Sequence, residues 1–169
     1  MSLIMAGLSK IHAEETIQNR SASSADIILS GSSAGEQFGW ALDAGRDIDG
    51  DGILDFAASS PGSGKLEVFR GSDAERFLLL EGRQNLGDLP NAFGEAISLG
   101  DFNGDGFSDI AVGAPHQDEF GDQAGEVILY YGPDAQTQNR LLCDQRSNRK
   151  CGKALSSSCD FNKDGADDI

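Results

Sequence analysis

The chain has 169 residues, with 13 basic and 28 acidic side chains, which gives a formal net charge of −15. Nucleic acids and anionic membranes bind basic surfaces, so this charge argues against both as partners. The length suits one ordinary domain with a core, and no apolar run is long enough to span a membrane. The 22 glycines favour many short strands joined by tight turns.

The N-terminal segment, residues 1–24, ends in a run rich in Ser and Ala and is interpreted as a leader. We expect it to be disordered, or in part a signal or cloning segment. Its apolar run is short and lacks a basic flank, which disfavours a cleaved signal peptide. Residues 25–169 are predicted to form the folded domain, with repeats near 31–82 and 86–143 and an incomplete repeat at 147–169.

Short apolar segments separated by Gly, Ser and Pro predict a series of β-strands. The first lies at 26–30, and the next four lie at 40–44, 54–59, 65–70 and 76–81. The same order recurs at 95–99, 109–112, 126–131 and 140–143. Each period therefore contains four strands and no helix, and Trp40 is interpreted as a core residue beside Phe38.

Each repeat also contains a nine-residue acidic loop, with side-chain oxygens at positions one, three, five and nine and glycine at position six. The three loops begin at residues 47, 101 and 160, so they recur once per repeat. Alternate side chains of such a loop can surround a hard cation, and residue seven can add its backbone carbonyl. The predicted metal ligands are Asp47, Asp49, Asp51, Ile53 and Asp55; Asp101, Asn103, Asp105, Phe107 and Asp109; and Asp160, Asn162, Asp164, Ala166 and Asp168.

Calcium is the ion that this pattern favours. Carboxylates at this spacing repel one another by roughly 1 kcal/mol per close pair in water, and a bound cation relieves that repulsion. Calcium takes about six to eight oxygen ligands, which suits the predicted donor set. We therefore expect up to three calcium ions, each in a self-contained loop.

The combination of a Phe-Gly pair, an acidic loop and Gly-Ala-Pro resembles the FG-GAP repeat of integrin α-subunit β-propellers. The middle repeat carries all three parts: Phe93-Gly94, the loop at 101–109, and Gly113-Ala114-Pro115. The first repeat has Phe38-Gly39 but Ser59-Ser60-Pro61 in place of Gly-Ala-Pro. The third has Cys151-Gly152 in place of Phe-Gly, and Lys163 where the other loops have glycine.

This resemblance implies that each repeat is one four-stranded antiparallel blade, with its ion in the hairpin between the first two strands. A propeller has at least about four blades. Two full blades and part of a third are then a partial propeller, which the rest of a longer protein or an oligomer would close. The resemblance further implies a non-enzymatic, extracellular module with structural calcium, for cell adhesion or for recognition of a protein or carbohydrate ligand.

Two other functions remain open. An EF-hand or dockerin-like protein also binds calcium in such loops, but it requires an acid at position twelve, where the first two loops have Ala58 and Val112. The second alternative is that the chain is an accessory propeller of a larger secreted enzyme. We predict no catalytic residues in it, because its histidines are only His12, in the leader, and His116, interpreted as a solvated loop residue.

The three cysteines, Cys143, Cys151 and Cys159, contain no CxxC motif and do not make a zinc site. In an oxidising compartment one pair can form a disulfide. Cys143 and Cys151 are the preferred pair because they flank one loop. Unpaired thiols, or pairing with a cysteine outside this segment, remain open.

Overall fold

The computed structural model of the chain describes residues 2–5, 27–83, 92–119, 122–143, 146–157 and 159–169. These residues contain ten β-strands and no helix, which confirms the all-β prediction. The strands are β1 (Ser2–Met5), β2 (Ile27–Ser30), β3 (Leu42–Arg46), β4 (Asp55–Ser60), β5 (Lys65–Phe69), β6 (Arg76–Glu81), β7 (Ile97–Gly100), β8 (Asp109–Ala114), β9 (Glu126–Tyr131) and β10 (Thr137–Leu141).

Eight of the strands form two four-stranded antiparallel sheets, in the orders β3-β4-β5-β6 and β7-β8-β9-β10. In both sheets each strand pairs with its neighbour in sequence, as propeller blades do. We call these sheets blade 1 and blade 2. Their second strands, β4 and β8, are buried along their whole length. The predicted pair of four-stranded blades is thereby confirmed.

Alternate residues of the central strands face two different core layers, because strand side chains have a period of two. In β8, Ile110 and Val112 pack in a cluster that also contains Leu66 and Val68 of blade 1. The intervening Ala111 packs on the opposite face, among Val127, Leu129 and Cys151. The largest core cluster therefore lies between the blades and joins them face to face.

The first strand of each blade begins two residues later than predicted, at Leu42 and Ile97. The residues before it form a tight turn, in which the N–H groups of Trp40 and Glu95 donate to the carbonyls three residues earlier, at 3.1 Å and 2.9 Å. The prediction that Trp40 is a core residue is wrong. Its side chain is 53% exposed, whereas Phe38 is buried, because the turn directs the two residues differently.

Part of the segment predicted as a leader forms a strand: β1 pairs with β2 in an antiparallel two-stranded sheet. Residues 6–26 lie outside the described part, so the leader and the domain boundaries stay predictions. Residues 147–169, here called the third unit, have no strand in their described part. This unit contacts blade 2 through an isolated parallel bridge between Cys151 and Gly125.

Candidate metal centre in three acidic loops

The three acidic loops occupy equivalent places in the repeats. Loop 1 (47–55) joins β3 to β4, and loop 2 (101–109) joins β7 to β8. Loop 3 (160–168) lies in the third unit. The first two loops are thus the hairpins between the first and second strands of the two blades.

In loop 2, backbone N–H groups hold the side-chain oxygens in place. The carboxylate of Asp101, at position one, accepts hydrogen bonds from the N–H of Gly104 at 2.7 Å and of Gly106 at 2.9 Å. Asn103 and Asp105 each accept from the N–H two residues ahead, both at 2.9 Å. Such local side-chain to backbone bonds define the loop conformation.

Loops 1 and 3 repeat this hydrogen-bonding pattern. At position one, Asp47 and Asp160 accept from the N–H of the position-six glycine at 2.9 Å and 2.8 Å. At position five, Asp51 and Asp164 accept from the N–H two residues ahead, at 2.7 Å and 3.0 Å. The three loops therefore share one hydrogen-bonding pattern, although loop 3 has no described strand beside it.

The position-six glycines confirm the sharp turn predicted there. Gly52, Gly106 and Gly165 have φ values of 87°, 88° and 97°, in the left-handed region that side chains disfavour. Lys163, which replaces glycine at position four of loop 3, has a φ of 64°. The lysine thus adopts the left-handed conformation of its glycine counterparts in loops 1 and 2.

The ninth-position aspartates tie the loops to the far end of the third strand. Asp55 and Asp109 are almost completely buried. Asp109 accepts from the N–H of Phe102 within the loop and from the N–H of Gly132 just after β9, both at 2.8 Å. In blade 1, Asp55 makes the matching bond to the N–H of Gly71, at 3.0 Å.

Burial raises the pKa of the Asp109 carboxyl, and the carboxylates of Asp105 and Asp101 raise it further. The N–H donors of Gly132 and Phe102 oppose this shift. The loop thus surrounds its most buried carboxylate with further negative charge, which disfavours ionisation. A divalent cation supplies the positive charge that would reverse this effect, so the electrostatics of the loop suit such an ion.

Among the described residues, three carboxylates come within 4.8 Å of one another in loop 1 but not in loops 2 and 3. Asp47, Asp49 and Asp55 each offer one oxygen atom, and these atoms lie within 4.8 Å of one another. Asp51 lies outside this group. The Asp49 carboxylate additionally contacts Arg70, whose Nε donates to Oδ2 at 2.8 Å. All the converging donors are hard oxygens, which suit calcium or magnesium rather than a thiophilic metal.

The loops also contact one another, which the expectation of self-contained loops did not include. Asp167, at position eight of loop 3, accepts from the N–H of Asp101 at 3.0 Å and from Arg46 Nη2 at 2.6 Å. Its own N–H donates to the carbonyl of Asp101 at 2.6 Å. Arg46 directly precedes loop 1. Sequence reasoning missed these links because each of them joins different repeats.

The turns that precede the blades have a common geometry. Phe38 and Phe93 are buried, and each makes an edge-to-face ring contact, with Phe69 and Tyr130 respectively, at 6.4 Å between centroids. The glycine after each phenylalanine donates its N–H to a carbonyl of the second strand at 2.9 Å. A model of the FG-GAP repeat family matches residues 38–76 and 93–130, each beginning at one of these phenylalanines.

The chain contains two FG-GAP repeats. The third unit begins with a related turn, in which Gly152 has a φ of 81°. Gly152 lies close to blade 2, since a Cβ added to it would be 2.8 Å from the Cα of Gly113. Cys151 forms a disulfide with Cys143, which confirms the preferred pairing. Cys159 is exposed and lies outside this disulfide.

Integrin α-subunits are among the proteins to which this chain is similar. Integrin alpha-6 of Gallus gallus is 29% identical over 142 residues, which cover 80% of this chain and 13% of the relative. Integrin alpha-3 of Cricetulus griseus is 36% identical over 103 residues, which cover 59% of this chain and 9% of the relative. Integrin alpha-PS2 of Drosophila melanogaster is 34% identical over 119 residues, which cover 62% of this chain and 8% of the relative. The chain thus spans about a tenth of the length of these relatives.

The described residues include no helix that could cross a lipid bilayer. They also place strands, rather than helices, on both sides of loops 1 and 2. The EF-hand alternative requires flanking helices. The surroundings of these two loops therefore do not support it.

Proposed function

We propose that this chain belongs to an extracellular β-propeller that binds calcium in three loops and serves cell adhesion through protein recognition. The observation that carries the proposal is the hydrogen-bonding pattern common to the three loops. Similarity to integrin α-subunits supports the adhesion role. Because the chain covers a small part of these relatives, the role is assigned to the module within a larger assembly.

The calcium ligands in this proposal are the side-chain oxygens at positions one, three, five and nine and the carbonyl oxygen at position seven. Loop 1 would use Asp47, Asp49, Asp51, Asp55 and the carbonyl of Ile53; loop 2 Asp101, Asn103, Asp105, Asp109 and the carbonyl of Phe107; loop 3 Asp160, Asn162, Asp164, Asp168 and the carbonyl of Ala166. Five protein oxygens per loop, with water, approach the coordination number of calcium. Magnesium dehydrates reluctantly and is a poorer match for so many protein ligands.

The role of calcium in this proposal is structural. Bound calcium would neutralise the clustered carboxylates that otherwise repel one another. The ninth-position aspartates Asp55 and Asp109 bond to N–H groups just after β5 and β9. An ion held by these aspartates would therefore connect the hairpin of each blade to its third strand. Dissociation constants near 10⁻⁴ to 10⁻³ M, roughly those of extracellular calcium modules, would suffice outside the cell.

The disulfide between Cys143 and Cys151 supports an extracellular location, because disulfides persist in oxidising compartments. It ties the end of blade 2 to the turn of the third unit. We assign the chain no catalytic activity, and the acidic residues that stand out in its sequence have a role as metal ligands. Recognition of a protein partner would use the surface loops of the propeller.

Thermal unfolding of metal-free protein with added calcium tests the proposal. A ligand present at ten times its dissociation constant stabilises the folded state by roughly 1.4 kcal/mol per site. We therefore expect the melting temperature to rise by several degrees at millimolar calcium, and by less with magnesium. An unchanged melting temperature at 10 mM calcium, about ten times the weakest dissociation constant in this range, would refute structural calcium sites.

Single-loop variants test the assignment of ligands. Asp47→Ala, Asp101→Ala and Asp160→Ala should each reduce the number of calcium ions bound per chain in equilibrium dialysis. Asp73→Ala removes the same charge from an exposed turn outside the loops and serves as the control. If Asp73→Ala lowered the stoichiometry as much as the loop variants, the general acidity of the chain would explain the binding.

A further inference from the structure

Loop 1 carries more negative charge than the other two loops. Its third position is Asp49, whereas loops 2 and 3 have Asn103 and Asn162 there. The ligand side chains of loop 1 therefore carry a formal charge of −4, compared with −3 in each of the others. Because the charge of the ligands tunes calcium affinity, this extra carboxylate would give loop 1 a calcium affinity different from that of loops 2 and 3.

The extra carboxylate has a cationic partner in the same blade. Arg70 Nε donates to Asp49 Oδ2 at 2.8 Å, while Asp49 Oδ1 accepts from the N–H of Asp51 at 3.2 Å. The Arg70 guanidinium also lies over the ring of Phe77, 5.2 Å from its centroid. This ring contact helps to hold the guanidinium at the edge of the loop.

In blade 2, a different residue occupies the position equivalent to Arg70. Arg70 precedes Gly71, whose N–H donates to the ninth-position aspartate of loop 1. Tyr131 precedes Gly132, whose N–H makes the same bond in loop 2. Blade 1 therefore has an aspartate and an arginine, Asp49 and Arg70, at the two positions where blade 2 has Asn103 and Tyr131, and the charges at each site sum to −3.

We propose that Arg70 is a charge-balancing, positioning residue of the loop 1 calcium site, which sets the affinity of that site to the level of loops 2 and 3. The inference rests on the proposed function. The guanidinium contacts Oδ2 of Asp49, one of the three converging carboxylates of loop 1. Its positive charge opposes the incoming cation and so offsets the affinity that a fourth carboxylate would add.

The test is a calcium titration of the full chain and of its Arg70→Gln variant, followed by ¹⁵N NMR. The amides of Gly52, Gly106 and Gly165 each donate to the position-one carboxylate of their own loop, so each reports on one site. In the variant, calcium should bind loop 1 roughly three- to tenfold more tightly at low salt, because a positive charge beside the loop no longer repels the divalent ion. The Gly106 midpoint should not change.

Two further variants separate charge from geometry. Arg70→Lys keeps the positive charge and should retain the wild-type affinity of loop 1. The double variant Asp49→Asn with Arg70→Gln has the same ligand charge as loop 2, and its loop 1 should also bind calcium with the wild-type affinity. Added salt should reduce the gain in Arg70→Gln, because screening weakens the effect of a surface charge.

The outcomes distinguish this inference from the proposed function. If calcium shifts all three glycine amides in the wild type and the Gly52 midpoint in Arg70→Gln is unchanged or weaker, the role of Arg70 is refuted while the calcium sites stand. If no glycine amide of the wild type responds to calcium, the calcium sites themselves are refuted, and the inference with them.

Discussion

Replacement of Gly94 by alanine tests whether the turn of one blade rests on the blade before it. Gly94 has a φ of +86°, and an added Cβ would lie 2.9 Å from the Cβ of Ser59 in β4 of blade 1. Ser59 is completely buried, so it has little room to move. The substitution therefore combines an unfavourable backbone conformation with a steric overlap between blades.

The two costs can be estimated separately. The left-handed conformation costs a non-glycine residue roughly 1 to 2 kcal/mol. Overpacking in a closely packed interior costs about 1 to 3 kcal/mol more. We expect Gly94→Ala to lower the free energy of unfolding by about 2 to 5 kcal/mol, a large fraction of the stability of an ordinary domain.

Urea unfolding at a fixed calcium concentration measures this loss, and Gly35→Ala is the matched control. Gly35 has a φ of +93°, but an added Cβ there would have no atom of a non-adjacent residue within 4 Å, so only the conformational cost applies. We therefore expect Gly35→Ala to cost about 1 to 2 kcal/mol. The difference between the two variants isolates the contact between the blades.

A double-mutant cycle with Ser59→Gly completes the test. Removal of the Ser59 side chain should relieve the overlap, so the double variant should be more stable than the two single effects predict. Equal losses in Gly94→Ala and Gly35→Ala, or strict additivity with Ser59→Gly, would refute the argument that this turn packs tightly against blade 1.

Two other predictions concern pH and coupling between loops. Burial raises the pKa of Tyr130 from 10.0 to about 12, so between these pH values the unfolded chain loses a proton that the folded chain keeps, and stability falls as the pH rises. Tyr130→Phe should flatten this part of the stability profile in urea unfolding, and Tyr131→Phe is the control; an unchanged slope would contradict the assignment. Asp167→Ala removes the side-chain bonds of loop 3 to Asp101 and Arg46, and should weaken calcium binding at loop 2 roughly fivefold or more in the NMR titration. Asp167→Asn, which keeps the acceptor, should weaken it less, and identical affinities in all three proteins would show that the loops bind independently.

The local features of this protein were predictable because short-range rules govern them. Short apolar segments between turn residues predicted the strands at 76–81 and 126–131 with the bounds observed. The spacing of aspartates and glycines predicted the loops, whose internal hydrogen bonds run between residues two to seven apart. The preferred cysteine pair was also local, since Cys143 and Cys151 flank a short loop.

Features that join different repeats could not be derived in this way. The position of Trp40 at the surface depends on a turn that precedes β3, and its apolar character alone pointed to the core. The bonds from Asp167 to Asp101 and Arg46 require the third unit to lie against both blades. The Arg70–Asp49 pair becomes recognisable only when the two blades are superimposed by their shared glycine contacts.

The sequence by itself determined the repeat, the strand-rich class and the three oxygen-lined loops, because each depends on residues within one hairpin. The tertiary structure decided which faces of the blades meet, which turn approaches which strand, and how the acidic loops contact one another. These contacts depend on the distance and orientation between separately formed sheets, and no periodicity within a single repeat contains that information.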